Sequence, residues 1–281
     1  MTMPYYASAE QVMRDRSEYA RKGISRGRSV AVVTYADGIM FIAENPSSTL
    51  HKVAELYDRI GFAAVGRYSE FEGLRVAGVR LADVRGYSYN RRDVTGRVIA
   101  NAYAQTLAAV FSEQMKPYEV ELCVAEVGDS SETDQLYRLT FDGSIVDEPD
   151  FVVMGGQVEA VTGHLREHFS TGMGLSDALQ VGVRALSAVS PVTAGSGNGG
   201  ATTLTAAQLE VAVLDRRRPK RAFRRVTGAA LRNLLGEEAT DTHAEPHTAA
   251  HAPSVPEPGT PAGLGDPANP DTAGGPSAEE D

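Results

Sequence analysis

Histidines at helical spacing are the first residues of this chain that could do chemistry. His164 and His168 lie four positions apart within a predicted helix, a spacing at which two imidazoles can bind one metal ion. No third ligand is evident beside them, so we interpret the pair as part of a solvated helix face. The same spacing recurs at His243, His247 and His251. Pro246 prevents a continuous helix through that series, and we predict neither a metal site nor a cofactor.

Two further stretches have the composition of anion-binding segments. Residues 195–200 are rich in glycine, but no predicted strand precedes them and a strand rather than a helix follows. No helix N-terminus would therefore face a phosphate there. Residues 216–221, with Arg224 and Arg225, form a basic run. We interpret this run as a segment leading into a helix or as a subunit contact, and we predict no nucleic-acid surface.

The charge of the chain is concentrated in its last residues. Residues 237–281 contain ten Asp or Glu and no Lys or Arg, which accounts for the whole formal charge of −10 with neutral histidines. The preceding 236 residues contain 27 acidic and 27 basic side chains. The tail is also rich in proline, alanine and glycine, a composition that cannot bury enough apolar surface to fold. We therefore predict a folded domain over residues 8–236 and a disordered acidic tail over residues 237–281.

Cysteine content and hydropathy indicate the cellular compartment of the protein. Cys123 is the only cysteine, so no disulfide can form within the chain and a reducing compartment is expected. No apolar run approaches the roughly 20 residues of a membrane span, and the N-terminus lacks a signal-peptide core. We predict a cytoplasmic protein with no membrane partner.

The most distinct predicted element is a hairpin over residues 28–44. Two strands rich in β-branched residues flank Asp37-Gly38, a dipeptide typical of tight hairpin turns. A polar helix over residues 8–23 precedes the hairpin and ends at a glycine. The remaining pattern predicts blocks of strands separated by pairs of helices, with a capping box at Ser69 and Glu72 and a last helix over residues 222–235. This order indicates an α+β fold in which two antiparallel sheets have helices on both outer faces.

The first helix, the segment Glu18-Tyr19-Ala20, the dipeptide Arg26-Gly27 and the hairpin together resemble a proteasome α-type subunit. The resemblance extends over residues 8–235 and implies the four-layer αββα sandwich of N-terminal-nucleophile hydrolases. Many α subunits carry a Tyr-Asp-Arg motif before the first helix. In this chain no such motif precedes the first helix, and Tyr57-Asp58-Arg59 lies elsewhere. Because that motif is absent and the chain has the Asp-Gly hairpin and residues 68–71, it resembles the α subunits of the bacterial, actinobacterial type.

The same resemblance implies that the chain cannot cut peptides. In β-type subunits the first hairpin strand begins with a threonine, freed by cleavage, whose own amine acts as the base. Arg28 occupies that position here, and the amine of Ser29 is held in a peptide bond. Glu44 falls where β-type subunits carry an aspartate, and Lys52 lies near their active-site lysine. We therefore predict no catalytic residue.

Lys52 has a second role by the resemblance, since it matches the α-type lysine that pairs with the C-terminal carboxylate of a docking ATPase activator. The resemblance also implies an N-terminal gate over the pore, formed by Thr2, Met3, Pro4, Tyr5, Tyr6 and Ala7. The implied partners are copies of the chain in a heptameric ring, catalytic β-type subunits, the ATPase activator, and unfolded or modifier-tagged substrate proteins.

Two alternatives remain open at the level of sequence. The chain could be an active hydrolase that uses Ser29 after cleavage behind Arg28, which would remove residues 1–28. It could instead be a binding scaffold that has kept the fold but does not enter a ring complex. Intact mass distinguishes the first alternative, and association with a β-type partner distinguishes the second.

Overall fold

Blocks of strands alternate with helices along the chain in the computed structural model, which describes residues 8–190 and 203–237. Within those ranges the helices are α1 Ala9–Ser25, α2 Tyr68–Ser88, α3 Gly96–Glu113, α4 Val158–His168, α5 Leu175–Ser187 and α6 Gly228–Leu235. The strands are β1 Val30–Tyr35, β2 Gly38–Glu44, β3 Val53–Tyr57, β4 Ile60–Gly66, β5 Val120–Glu126, β6 Gln135–Leu139, β7 Ile145–Glu148, β8 Phe151–Met154, β9 Leu209–Asp215 and β10 Phe223–Val226.

The strands form two five-stranded sheets, and every neighbouring pair is antiparallel. The first sheet has the order β10–β9–β2–β1–β8, and the second has the order β3–β4–β5–β6–β7. Side chains alternate between the two faces of each strand. Val30 and Val32 of β1 accordingly pack into the layer between the sheets, whereas Ala31 and Val33 pack against helices.

Three buried layers make this a four-layer αββα sandwich, which confirms the predicted fold class. The central layer joins the inner faces of both sheets through residues such as Phe41, Val65 and Cys123. On one outer face, α4, α5 and α6 cover the first sheet. On the other, α2 and α3 cover the second sheet. Helix α1 closes one end of the central layer with the buried side chains of Ala20 and Ile24.

The predicted hairpin is confirmed as β1 and β2, with Val30 opposite Ala43 and Tyr35 opposite Gly38. Gly38 has φ +150°, and a Cβ atom there would lie 1.9 Å from the carbonyl oxygen of Leu214 in the neighbouring β9. Glycine is therefore required at the turn both by its backbone conformation and by the close approach of β9.

Two predictions about helix ends are wrong. Residues 223–226, predicted as helix, form β10 and pair with β9, with Phe223 opposite Leu214. Pairing with an exposed sheet edge outweighs the weak helical pattern of that short stretch. Helix α2 begins at Tyr68 with Arg67 as its N-cap and without a side-chain cap, so Ser69 and Glu72 form no capping box. Glu72 instead accepts hydrogen bonds from the Arg75 guanidinium.

Several predicted segments lie outside the described residues, namely the gate residues Thr2 to Ala7, the glycine-rich residues 195–200, and the tail beyond residue 237. None of the helices in the described part of the chain is long and apolar enough to cross a membrane.

Candidate functional site

Residue 28 lies at the junction between α1 and β1. Helix α1 ends at Ser25, and the amide of Gly27 donates to the carbonyl oxygen of Ile24 at 2.9 Å, which turns the chain toward β1. Because Ala20 and Ile24 are buried in the central layer, α1 is anchored directly upstream of this junction. Arg28 and Ser29 are consequently internal residues of a continuous, packed chain segment.

Three of the residues singled out from the sequence meet at this junction. Arg28 Nε donates to Glu44 Oε1 at 3.0 Å. Lys52 Nζ donates to the carbonyl oxygen of Arg28 at 2.7 Å and to that of Glu44 at 3.1 Å. We refer to Arg28, Glu44 and Lys52 as the junction cluster. The structure thus places an arginine, a carboxylate and a lysine together at this junction.

Exposure differs sharply within the junction cluster. The Glu44 side chain is 4% exposed, whereas that of Arg28 is 43% exposed. Glu44 Oε1 also accepts a hydrogen bond from Ser190 Oγ at 3.0 Å, so the buried carboxylate has two donors. Burial of this kind requires such partners, since an unpaired buried carboxylate is costly.

The ammonium of Lys52 is partly withdrawn from water. Burial lowers the pKa of Lys52 to about 8, because desolvation disfavours the charged form. The nearby carboxylates of Glu44 and Glu210 oppose this shift, and the guanidinium of Arg28 adds to it. Lys52 therefore remains mostly protonated at neutral pH but loses its charge at a far lower pH than an ordinary lysine.

A second buried carboxylate, Glu210 in β9, fixes the chain around Lys52. Glu210 Oε2 accepts from the main-chain amide of Lys52 at 2.9 Å and from Asn45 Nδ2 at 2.8 Å. Glu210 Oε1 accepts from Arg225 Nη1 at 2.6 Å and lies 3.1 Å from His51 Nδ1. Glu210 and Arg225 thus act as positioning residues for the segment that carries Lys52.

The role of Glu210 was missed at the level of sequence. The alternation of Leu209, Val211 and Val213 indicates a strand, but it gives no role to Glu210 between them. Every residue of β9 is in fact buried, because β2 and β10 flank it and both faces are covered. The available signal was a charged residue inside a strand of otherwise apolar residues, together with an excess of arginines nearby.

Of the other candidates within the described residues, Arg225 of the basic run belongs to this site through Glu210, whereas the paired histidines do not. His168 Nδ1 lies 2.9 Å from the carbonyl oxygen of His164, and the two rings stack on the exposed surface of α4. The basic run begins after β9 ends at Asp215 and continues through a turn into β10, so its interpretation as a segment leading into a helix is wrong. Several of its arginines form ion pairs within the chain, including Arg216 with Asp134.

Comparison with known proteins gives a consistent result. A family profile described as Proteasome subunit matches residues 24–202. A protein named Proteasome subunit alpha from Geodermatophilus obscurus is 81% identical over 277 residues, covering 98% of this chain and 96% of the relative. One of the same name from Saccharopolyspora erythraea is 65% identical over 247 residues, covering 87% and 93%. Another, from Salinispora tropica, is 60% identical over 259 residues, covering 92% and 97%.

Proposed function

The chain belongs to the proteasome subunit family, and we propose that it is a non-catalytic α-type subunit of a bacterial proteasome core. In this proposal, seven copies form each outer ring, and the rings support assembly of catalytic β-type rings. The α ring gates the admission of substrates and docks an ATPase activator. The substrates are unfolded proteins, including those tagged with a small protein modifier, and the complex works in the cytoplasm.

The observation that carries the non-catalytic assignment is the chain continuity at Arg28. A nucleophile of this fold needs a hydroxyl or thiol on the residue that also supplies a free amine. Arg28 has no such group, and its amide links β1 to the anchored helix α1. Glu44 and Lys52 remain beside it, but their hydrogen bonds hold Arg28 and the ends of the strands together.

The proposed docking role of Lys52 is supported by the charge of the junction cluster. Two basic side chains face a single buried carboxylate, which leaves one positive charge near the surface. A mobile lysine suits a carboxylate whose approach varies, since an ammonium is a point charge with rotatable donors. Glu210 supports the same role by fixing the main chain at Lys52.

The proposed gate consists of Thr2, Met3, Pro4, Tyr5, Tyr6 and Ala7. These residues lie outside the described ranges, so the proposal depends on their apolar and aromatic composition and on the family resemblance. Short apolar segments that converge on a ring axis can pack against one another and exclude unfolded chains from a pore.

The decisive experiment is co-expression of the chain with a β-type subunit of the same organism, followed by size-exclusion chromatography and a peptidase assay. We expect a complex of the size of stacked rings whose activity requires the β-type threonine. Intact mass of the α chain should show residues 1–28 still attached. A chain that stays monomeric, with no β association, would instead favour the scaffold alternative.

A further inference from the structure

Among residues 8–190 and 203–237, the junction cluster and its neighbours carry one more positive charge than the carboxylates beside them. Glu44 is its single carboxylate and is already occupied by Arg28 Nε and Ser190 Oγ. Glu210 also attracts the ammonium of Lys52, but Arg225 Nη1 pairs with it at 2.6 Å, so Arg28, Lys52 and Arg225 together outnumber Glu44 and Glu210 by one charge. One positive charge of the Arg28 and Lys52 pair is therefore available to an anionic ligand.

The free donors in this cluster belong mainly to Arg28. Lys52 uses two of its three ammonium N–H groups on the carbonyl oxygens of Arg28 and Glu44. Arg28 uses only Nε, and within residues 8–190 and 203–237 neither Nη1 nor Nη2 makes a hydrogen bond or ion pair. Arg28 is also much more exposed than its partner Glu44, with 43% against 4% of the side chain accessible.

The guanidinium has a fixed direction although it is exposed. Its Nε–Glu44 hydrogen bond holds one edge of the planar group, and Lys52 Nζ fixes the main chain of the same residue. When a guanidinium is held by Nε, its two terminal nitrogens can both donate to one planar acceptor. That geometry matches a carboxylate, which accepts two parallel N–H bonds from arginine.

We propose that Arg28 is the principal carboxylate receptor of the activator-docking site, with Lys52 as the second cation and as the group that positions Arg28. The inference rests on the proposed function, because it names the residue that recognises the C-terminal carboxylate of the docking peptide. The ligand class is an extended peptide with a free α-carboxylate. The position that carries the nucleophile in β-type subunits thus becomes an anion-binding position here.

The test measures binding of short peptides to the assembled core complex. The peptides copy the C-termini of the ring-forming ATPases of the same organism, each made as a free acid and as a C-terminal amide. Wild-type complex should prefer the acid by about tenfold or more, the range typical of a charge-assisted hydrogen bond. Arg28→Ala should lower the affinity for the acid about tenfold or more and leave the amide unchanged. Arg28→Lys should restore part of the preference, since it keeps the charge but loses the fork.

Arg26→Ala is the matched control, because Arg26 is an exposed arginine two positions away that contacts neither Glu44 nor Lys52 within the described residues. It should change the affinity for the acid by less than about twofold. Equal losses for Arg26→Ala and Arg28→Ala would mean a general charge effect and would overturn the inference. Ring assembly is checked by sizing, and Arg28→Gln replaces the alanine variant if that one fails to assemble.

Failure of this inference is distinguishable from failure of the proposed function. If wild-type complex binds the acid and the amide equally, the carboxylate does not dock. That result would overturn both the role of Arg28 and the activator-docking part of the proposed function. If wild-type complex prefers the acid, and Lys52→Ala abolishes that preference while Arg28→Ala does not, activator docking stands and the role of Arg28 is overturned.

Discussion

Lys52 Nζ lies 2.7 Å from the carbonyl oxygen of Arg28, although the two residues are 24 positions apart in the chain. The same ammonium donates to the carbonyl oxygen of Glu44, the last residue of β2, at 3.1 Å. One lysine thus joins the segment that leads into β1 to the end of β2 and to the start of β3. Arg28 is therefore held as an internal residue of the backbone between α1 and β1.

The isolated chain should hydrolyse no peptide substrate. Removal of the initiator methionine would expose only Thr2, which α1 separates in sequence from the junction cluster. Fluorogenic peptides should therefore remain uncut by purified α chain, while the complex with a β-type subunit cuts them. Turnover by a β-free preparation at a rate comparable to the complex would contradict this, and intact mass would then show whether cleavage had freed Ser29.

Deletion of residues 2–7 should raise the turnover of small peptides by the assembled complex. The expected cause is removal of an apolar plug from the pore, with the β-type sites unchanged. A peptidase assay on truncated and full-length complexes measures the effect, and labelling of the β sites with a covalent inhibitor controls for their number. Equal turnover in both complexes would show that these residues do not form the gate.

Glu210→Ala should destabilise the chain by about 3 kcal/mol, as expected when one partner of a buried ion pair is removed. The change leaves Arg225, which is 31% exposed, without its carboxylate, and removes the acceptor of the Lys52 main-chain amide. Thermal or denaturant unfolding measures the loss.

Glu55→Ala is the matched control, because the partner of Glu55, Arg221, is 72% exposed. That pair should contribute less than about 1 kcal/mol. An equal loss of unfolding free energy in the two variants would show that Glu210 contributes no more to stability than an exposed ion-pair residue.

The sequence predicts much of the architecture, because local patterns carry it. The Asp37-Gly38 turn fixes the register of the first hairpin, since only glycine tolerates φ +150° beside β9. Helix α5, Leu175–Ser187, has a strongly one-sided apolar pattern, and that pattern alone indicates a helix. Such elements need no knowledge of distant partners.

What the sequence could not predict depends on distant pairing. Strand β10 exists because β9 offers an edge to Phe223–Val226, and the local pattern of those residues favours a helix equally well. The role of Glu210 depends on amides of residues 158 and 157 positions away. In the site, the family resemblance identified Arg28, Glu44 and Lys52, but it could not show that the ammonium of Lys52 binds two carbonyl oxygens.

Lys52→Ala should weaken ATPase-stimulated degradation while leaving basal peptidase activity nearly intact. Loss of a charge-assisted partner at a partly buried carboxylate costs about 1.5–3 kcal/mol, or on the order of 10–150-fold in affinity for each site. Because docking to a ring is multivalent, affinity should be measured with a monovalent C-terminal peptide as well as with the ATPase. Unchanged peptide affinity would make Lys52 an ordinary surface residue, and loss of the ring would assign it to the subunit interface.

The affinity of the docking peptide should also fall as pH rises through about 8, the value to which burial lowers the pKa of Lys52. The peptide carboxylate is ionised throughout this range and favours protonated Lys52, so binding is strongest below the pKa and weakens above it. Between pH 7 and pH 9 the protonated fraction drops about tenfold, which limits the loss that this one group can cause. Fluorescence anisotropy of a labelled peptide at constant ionic strength measures the change.

Lys52→Arg is the control for the pH dependence, because a guanidinium stays charged throughout this range. The affinity of the Lys52→Arg complex for the peptide should stay nearly constant from pH 7 to pH 9, whereas that of the wild-type complex falls. Wild-type affinity that stays constant until about pH 10 would mean that Lys52 titrates as an ordinary solvated lysine, which contradicts its placement in the junction cluster. A parallel fall in both proteins would place the titrating group elsewhere. Because Arg28 does not titrate here, the affinity that remains at pH 9 reports the share of the carboxylate interaction that does not depend on the charge of Lys52.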